Sequence, residues 1–141
     1  MPPEADQERI AIESDADVVT ARQRARELAV GLELTSTDQT LLATAISEVA
    51  RNITTYAIRG EVLLSIVREP GPPARSGIRV VARDQGPGIA DLDLAMQDGY
   101  TSGGGMGLGL PGARRLVYEF DIETAPSEGT TVTLVKWSRA R

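Results

Sequence analysis

Nine of the chain's fourteen glycines fall in one stretch, "DQGPGIADLDLAMQDGYTSGGGMGLGLPGARRL", from Asp84 to Leu116. A glycine inside a regular element costs about 0.5–1 kcal/mol relative to alanine. A small domain that concentrates glycines this way needs its backbone to approach something closely there.

The flanking segments carry clear periodicities. "RIAIES", Arg9 to Ser14, alternates and predicts a strand. Ser14 or Asp15 can cap a following helix with Val18, Ala21, Arg22 (by its stem), Ala25, Leu28, Ala29 and Leu32 on its apolar side, and Gly31 sits where a C-cap glycine is expected. Ser36 and Gln39 have capping-box spacing. Leu42, Ala45, Ile46, Val49, Ile53 and Tyr56 then recur at helical intervals, the strongest pattern in the chain.

Glu61–Glu69 and Gly77–Asp84 predict a hairpin around the turn "PGPPARS", Pro70 to Ser76. Short helices are expected at Leu92–Gln97 and Leu110–Glu119. "FDIETAP" and "TTVTLVKW" predict a closing hairpin around Ser127–Gly129. The order β-α-α-β-β-α-α-β-β predicts an α+β fold. It is a two-layer α/β sandwich with a mixed, mostly antiparallel sheet and helices on one face. At 141 residues one domain is expected, over residues 9–137, with a flexible N-terminus (1–8) and a short tail (138–141).

Composition excludes several chemistries. There is no cysteine and no histidine, so thiolate nucleophiles, disulfides, Ser-His-Asp catalysis and His- or Cys-ligated metals are ruled out. A net charge of −5 without a basic block argues against a nucleic-acid partner. No apolar run approaches the ~18 residues of a membrane span, and "MPPEADQER" is not a signal peptide, so a cytoplasmic location is expected. Carboxylates, amides, hydroxyls, backbone N–H groups and a hard cation remain.

Four signals fit that inventory. Glu48 and Asn52 lie four apart at the border of the apolar stripe of their helix. There an amide oxygen can hold Mg²⁺ and a carboxylate can take a proton. Asp84 ends a strand and is followed by Gly86-Pro87-Gly88-Ile89, a turn that leaves a pocket floor clear beside a carboxylate able to accept from a purine amino group. Gly103-Gly104-Gly105-Met106-Gly107-Leu108-Gly109-Leu110 presents successive N–H groups before a helix, an anion-binding concavity. Gly129-Thr130 opens the last strand with a hydroxyl. Taken singly, each also fits something plainer: a solvated helix flank, a capped turn, a flexible loop, a hairpin turn. Gly107, Gly109 and Gly112 match G-x-G-x-x-G, but no strand precedes them, as a dinucleotide fold requires. No Gly-Lys pair exists for a Walker loop.

In this order, "ExxxN", "DxGxG", "GxGLGL" and "GT" resemble the four boxes of the Bergerat-type (GHKL) ATP-binding fold, which serves gyrase-type topoisomerases, Hsp90-type chaperones, histidine kinases and mismatch-repair ATPases. "TAISEVARNITTYA", "DGYTSGGGMGLGLPGARRLVYEF" and "EGTTVTLVKW" more closely resemble the switch serine/threonine kinases of bacterial stressosomes. The resemblance implies ATP and Mg²⁺ as cofactors, Asn52 as the metal ligand and Glu48 as the base. It places adenine among Asp84, Gly88 and Thr130, and phosphates at Gly105, Gly107 and Gly109. It further implies STAS-domain antagonist and scaffold proteins as substrates and a PP2C-type phosphatase as the target of the released kinase. Three consecutive glycines and Met106 depart modestly from the glycine-box pattern. A transducer is not expected in a chain of this length, and no phosphoacceptor histidine exists. The other reading within the fold is an anti-sigma-factor kinase.

Overall fold

A computed structural model of the chain describes residues 7–32, 34–57, 59–69, 75–86, 119–124 and 129–138. Strand β1 (Glu8–Ile12) leads into helix α1 (Asp15–Gly31) and helix α2 (Ser36–Asn52). A π-helical turn (Ile53–Ala57) continues α2. Strands β2 (Gly60–Glu69), β3 (Arg75–Asp84), β4 (Glu119–Thr124) and β5 (Thr130–Trp137) follow. They form a five-stranded sheet in the order β1-β2-β3-β5-β4. Every pairing among these described strands is antiparallel, in line with the mostly antiparallel sheet expected.

Several predicted boundaries shift. Glu8 lies in β1 rather than in a loose N-terminus, because its carboxylate takes two hydrogen bonds from Arg24 of α1, at 2.6 and 2.7 Å. Arg75 and Ser76, expected in a turn, belong to β3. Arg75 grips the Glu69 carboxylate at 2.8 Å and lies over the Trp137 ring, and Arg68 donates to Ser76 at 2.8 Å. Glu119, expected to end a helix, opens β4 and accepts from the Trp137 indole N–H. The rest of that helix, the helix expected at 92–97 and the turn at 70–74 lie outside the described residues.

The helix ends also differ in detail. Ser14 occupies the N-cap of α1, but its hydroxyl donates to Asp17. Leu32 closes that helix by donating to Leu28 and Ala29, so Gly31 is its last residue and no left-handed cap is needed. At α2 the cap is Thr35, one residue before the expected Ser36. Its hydroxyl accepts from the Asp38 N–H at 3.1 Å, and the Gln39 amide reaches back to the Leu34 carbonyl at 2.9 Å.

Both helices pack on one face of the sheet. Val18, Ala21, Ala25 and Ala29 of α1 and Leu42, Ala45, Ile46 and Val49 of α2 meet Ile10, Ile12, Val62, Leu64, Ile78, Val80, Val132 and Leu134. Burying each larger aliphatic side chain contributes about 1.5–3 kcal/mol, so this layer holds the fold together. Strand alternation makes the covered face legible: with Val132 and Leu134 inside, Thr130 and Lys136 face the same way.

Candidate functional site

Helix α2 has a fixed direction over the sheet. Near its start, Asp38 lies 3.6 Å from Lys136 of β5, both side chains only 6% exposed. From Asp38 to Ile53 the helix rises about 22 Å, and from Lys136 back to Thr130 the strand covers about 20 Å. The C-terminal end of α2, with Asn52, is therefore carried to the Thr130 end of the sheet.

At that end the covered face turns polar. Core residues Ala82 and Val132 face each other across β3 and β5, and the next inward pair is Asp84 and Thr130. Thr124 of β4 is the register partner of Thr130, and Gly60 of β2 is the partner of Asp84. One row across the sheet thus reads Gly60, Asp84, Thr130, Thr124.

Glycines admit the chain segments that crowd this row. A Cβ on Gly60 would meet the carbonyl of Arg83, come within 2.9 Å of the Ile53 side chain and within 3.1 Å of the Asp84 Cβ. Ile53, the residue after Asn52, and Asp84 thus come together over Gly60. A Cβ on Gly86 would come within 2.6 Å of Ala57 in the π-turn. Gly129, with φ 79°, approaches the backbone carbonyl of Asp84 too closely for any side chain. π-Turns inside helices occur frequently at functional sites. This one lies between Asn52 and β2 and packs against two glycines.

Asp84 Oδ1 accepts from the Gly86 N–H at 2.9 Å, an Asx-type turn that orients the carboxylate and leaves Oδ2 for another donor. Thr130 and Thr124 hydroxyls lie 2.9 Å apart. Glu48 and Asn52 are half-buried, beside the fully buried Val49 and Ala50, and Glu48 pairs with Arg51 at 3.5 Å. Among the described residues no three carboxylates cluster as a metal site. A hard cation held by one amide oxygen and by ligand phosphates needs no such cluster, and the half-buried Asn52 amide fits that role.

Of the residues predicted from sequence, Asn52, Asp84, Gly86 and Thr130 come together at this end, with Glu48 one turn before Asn52. Gly88, Ile89 and Gly103 to Leu110 lie outside the described residues. Gly60, Ala57 and Thr124 were not singled out from sequence. For Thr124 the available signal was a threonine six residues before Thr130 across a hairpin turn. A cavity of about 390 Å³ lined by Leu28, Leu64 and Ile66 lies toward the other end of the sheet and holds none of the predicted residues.

This fold and site define a class. The profile of the histidine kinase-, DNA gyrase B- and HSP90-like ATPases matches residues 37–140, and the chain belongs to that family. Within it, the chain is 42% identical over 134 residues to the serine/threonine-protein kinase RsbT of Bacillus subtilis (strain 168), a match covering 95% of this chain and 98% of the relative. On that footing the chain is a serine/threonine-protein kinase of the family. In fold it is similar to the RsbU and RsbW domains of a Mycobacterium tuberculosis protein (TM-score 0.61, 19% identity, 96% of this chain and 34% of that one). It is also similar to the mycobacterial sensor histidine kinase MprB (TM-score 0.55, 21% identity, 96% of this chain and 99% of that one).

Proposed function

We infer that residues 9–137, extended by Glu8, form one ATP-dependent protein kinase domain that acts as a partner switch. It phosphorylates serine or threonine on STAS-domain antagonist and scaffold proteins of a stress-signalling complex and, once released, activates a PP2C-type phosphatase. The observation that carries the nucleotide site is the end of α2, with Glu48 and Asn52, folded onto the sheet end that bears Asp84 and Thr130. The identity to RsbT supports the kinase activity, and the sequence resemblance supports the partners.

In this reading Asp84 accepts from the exocyclic amino group of adenine, with Gly86, Gly88, Ile89 and Thr130 around the ring. The backbone from Gly103 to Leu110 borders the phosphates with its N–H groups. Asn52 holds Mg²⁺, which when bound supplies charge neutralisation at the phosphate oxygens. Glu48 sits one turn earlier, where its carboxylate orients the acceptor hydroxyl and takes its proton. The hydroxyl oxygen bonds to the γ-phosphorus as the bond from that phosphorus to the β–γ bridging oxygen breaks, and ADP leaves. Arg51, 3.5 Å from Glu48, pairs with that carboxylate one turn along the same flank of the helix.

Phosphorylation adds nearly two negative charges to the acceptor. A kinase of net charge −5 is then repelled by its product, which suits release after a single turnover. The reading places the kinase in the cytoplasm; among the described residues no helix is long and apolar enough to cross a membrane.

The test is transfer of γ-labelled phosphate from Mg-ATP to a cognate STAS protein. Transfer is expected, with Glu48→Gln slower by about 10²-fold or more. Absence of transfer, or equal rates in the two chains, would overturn the kinase mechanism. Capture of a sigma factor in place of a phosphatase would overturn the proposed partners.

A further inference from the structure

The polar row ends in a hydrogen-bonded chain whose direction can be read. Thr124 Oγ1 lies 3.1 Å from the Gly129 carbonyl oxygen and 2.9 Å from Thr130 Oγ1. A carbonyl only accepts, so the Thr124 hydroxyl is the donor in the first contact. A hydroxyl has one proton. Thr124 therefore meets Thr130 with a lone pair, and Thr130 donates to Thr124.

That order commits the single proton of Thr130 away from Asp84. Thr130 is left with lone pairs alone to offer, and its side chain shares the sheet face of Asp84, its register partner across β3 and β5. Asp84 Oδ1 is engaged by the Gly86 N–H, and Oδ2 accepts without donating. The two side chains then present acceptors and no donor to a molecule lying over them. An amino group satisfies both. An oxo group at the same place meets oxygen on both sides and leaves buried acceptors unpaired, the arrangement by which sites reject near-isosteres.

We propose that Thr124 is a specificity-determining residue: by holding the Thr130 hydroxyl as an acceptor, it makes the Asp84–Thr130 edge select purine nucleotides with a 6-amino group over those with a 6-oxo group. This rests on the nucleotide site proposed above and assigns to β4 a part in it. Without the Thr124 hydroxyl, the Thr130 proton is free to rotate towards the ligand and donate to an oxo group. The Asp84 carboxylate continues to disfavour that group, so selectivity falls without vanishing.

The experiment measures the dissociation constants of Mg-ATP and Mg-ITP by calorimetry for the full chain and two variants. ITP carries oxygen in place of the 6-amino group and a hydrogen on N1, a change common to every chain compared. Wild type is expected to favour ATP. Thr124→Val, which keeps shape and β-branching, is expected to lower the ATP:ITP ratio about tenfold, one hydrogen bond's worth. Thr124→Ser keeps the hydroxyl and is expected to keep the wild-type ratio. Thr124→Ala reads the same ratio should the valine chain not fold. An unchanged ratio in the valine or alanine chain, or an equal fall in the serine chain, would overturn the role of Thr124. A wild type that binds ATP and ITP alike would overturn it too. Wild type that binds neither nucleotide would instead overturn the site itself, so the two failures are distinguishable.

Discussion

Asp38 at the start of α2 and Lys136 at the end of β5 form a buried pair, 3.6 Å apart, beneath the end of the sheet opposite Asp84. Two charges removed from water at that position cost several kcal/mol in desolvation, which their attraction largely offsets. The pair marks the end of the sheet on which α2 starts, and Asn52, some 14 residues further along the helix, lies toward the other.

Removing one partner leaves the other charge buried. Lys136→Ala is expected to destabilise the fold by about 3–5 kcal/mol in urea titration, while the double variant Asp38→Leu with Lys136→Met is expected to lie much closer to wild type. A single variant as stable as the double would contradict a closely coupled pair.

Gly60 stands where Ile53 and Asp84 close over the sheet. A methyl group there overlaps the Arg83 carbonyl, and the overlap cannot be relieved by a side-chain rotation alone. Gly60→Ala is expected to cost about 1–3 kcal/mol and to weaken ATP binding in the chains that remain folded. Gly31, with nothing within 4 Å of an added Cβ, is the control: Gly31→Ala is expected to be neutral or mildly stabilising.

On the outer face, Glu61 of β2 takes hydrogen bonds from Arg9 of β1 and from Arg83 of β3, the latter at 2.5 and 3.0 Å. The Arg9 hydrogen bond, then that of Arg83, hold the Glu61 carboxyl below the ordinary carboxylate range despite partial burial. A carboxylate depressed in the folded state contributes stability above its unfolded pKa and loses it as pH falls through the folded value. Glu61→Gln is therefore expected to be about 1 kcal/mol less stable at pH 7 and to converge on wild type below about pH 4. A gap that stays constant across that window would contradict the assignment.

Asn52 is proposed as the metal ligand. Wild type is expected to lose ATP affinity when EDTA removes Mg²⁺, and Asn52→Ala is expected to bind ATP with an affinity nearly independent of Mg²⁺. An Asn52→Ala chain with the wild-type Mg²⁺ dependence would place the metal elsewhere.

What the sequence made legible follows from what is local. β5 occupies the predicted residues, Thr130–Trp137, because "TTVTLVKW" alternates cleanly and Gly129 supplies the left-handed turn before it. The core stripe of α2 was equally plain from its 3.6-residue spacing. Its cap was displaced by one residue because Thr35 and Ser36 both offer a hydroxyl, and only the extended backbone of Thr35 chooses between them. The π-turn after Asn52 was not legible, since it depends on Gly60 and Gly86, distant in the chain, leaving room for Ile53 and Ala57. Asp84 and Thr130 were singled out as ends of strands. That they share a row with Thr124 required the register of three strands, which no local pattern contains.

The central claim is that Asp84, Thr130 and the end of α2 form one purine-nucleotide site. Calorimetric titration of Mg-ATP into wild type and Asp84→Asn tests it most directly. The substitution keeps size and an acceptor oxygen but removes the charge. The expected result is saturable binding by wild type, weakened about 10–100-fold in the folded variant. Equal affinity in the two chains would contradict the account.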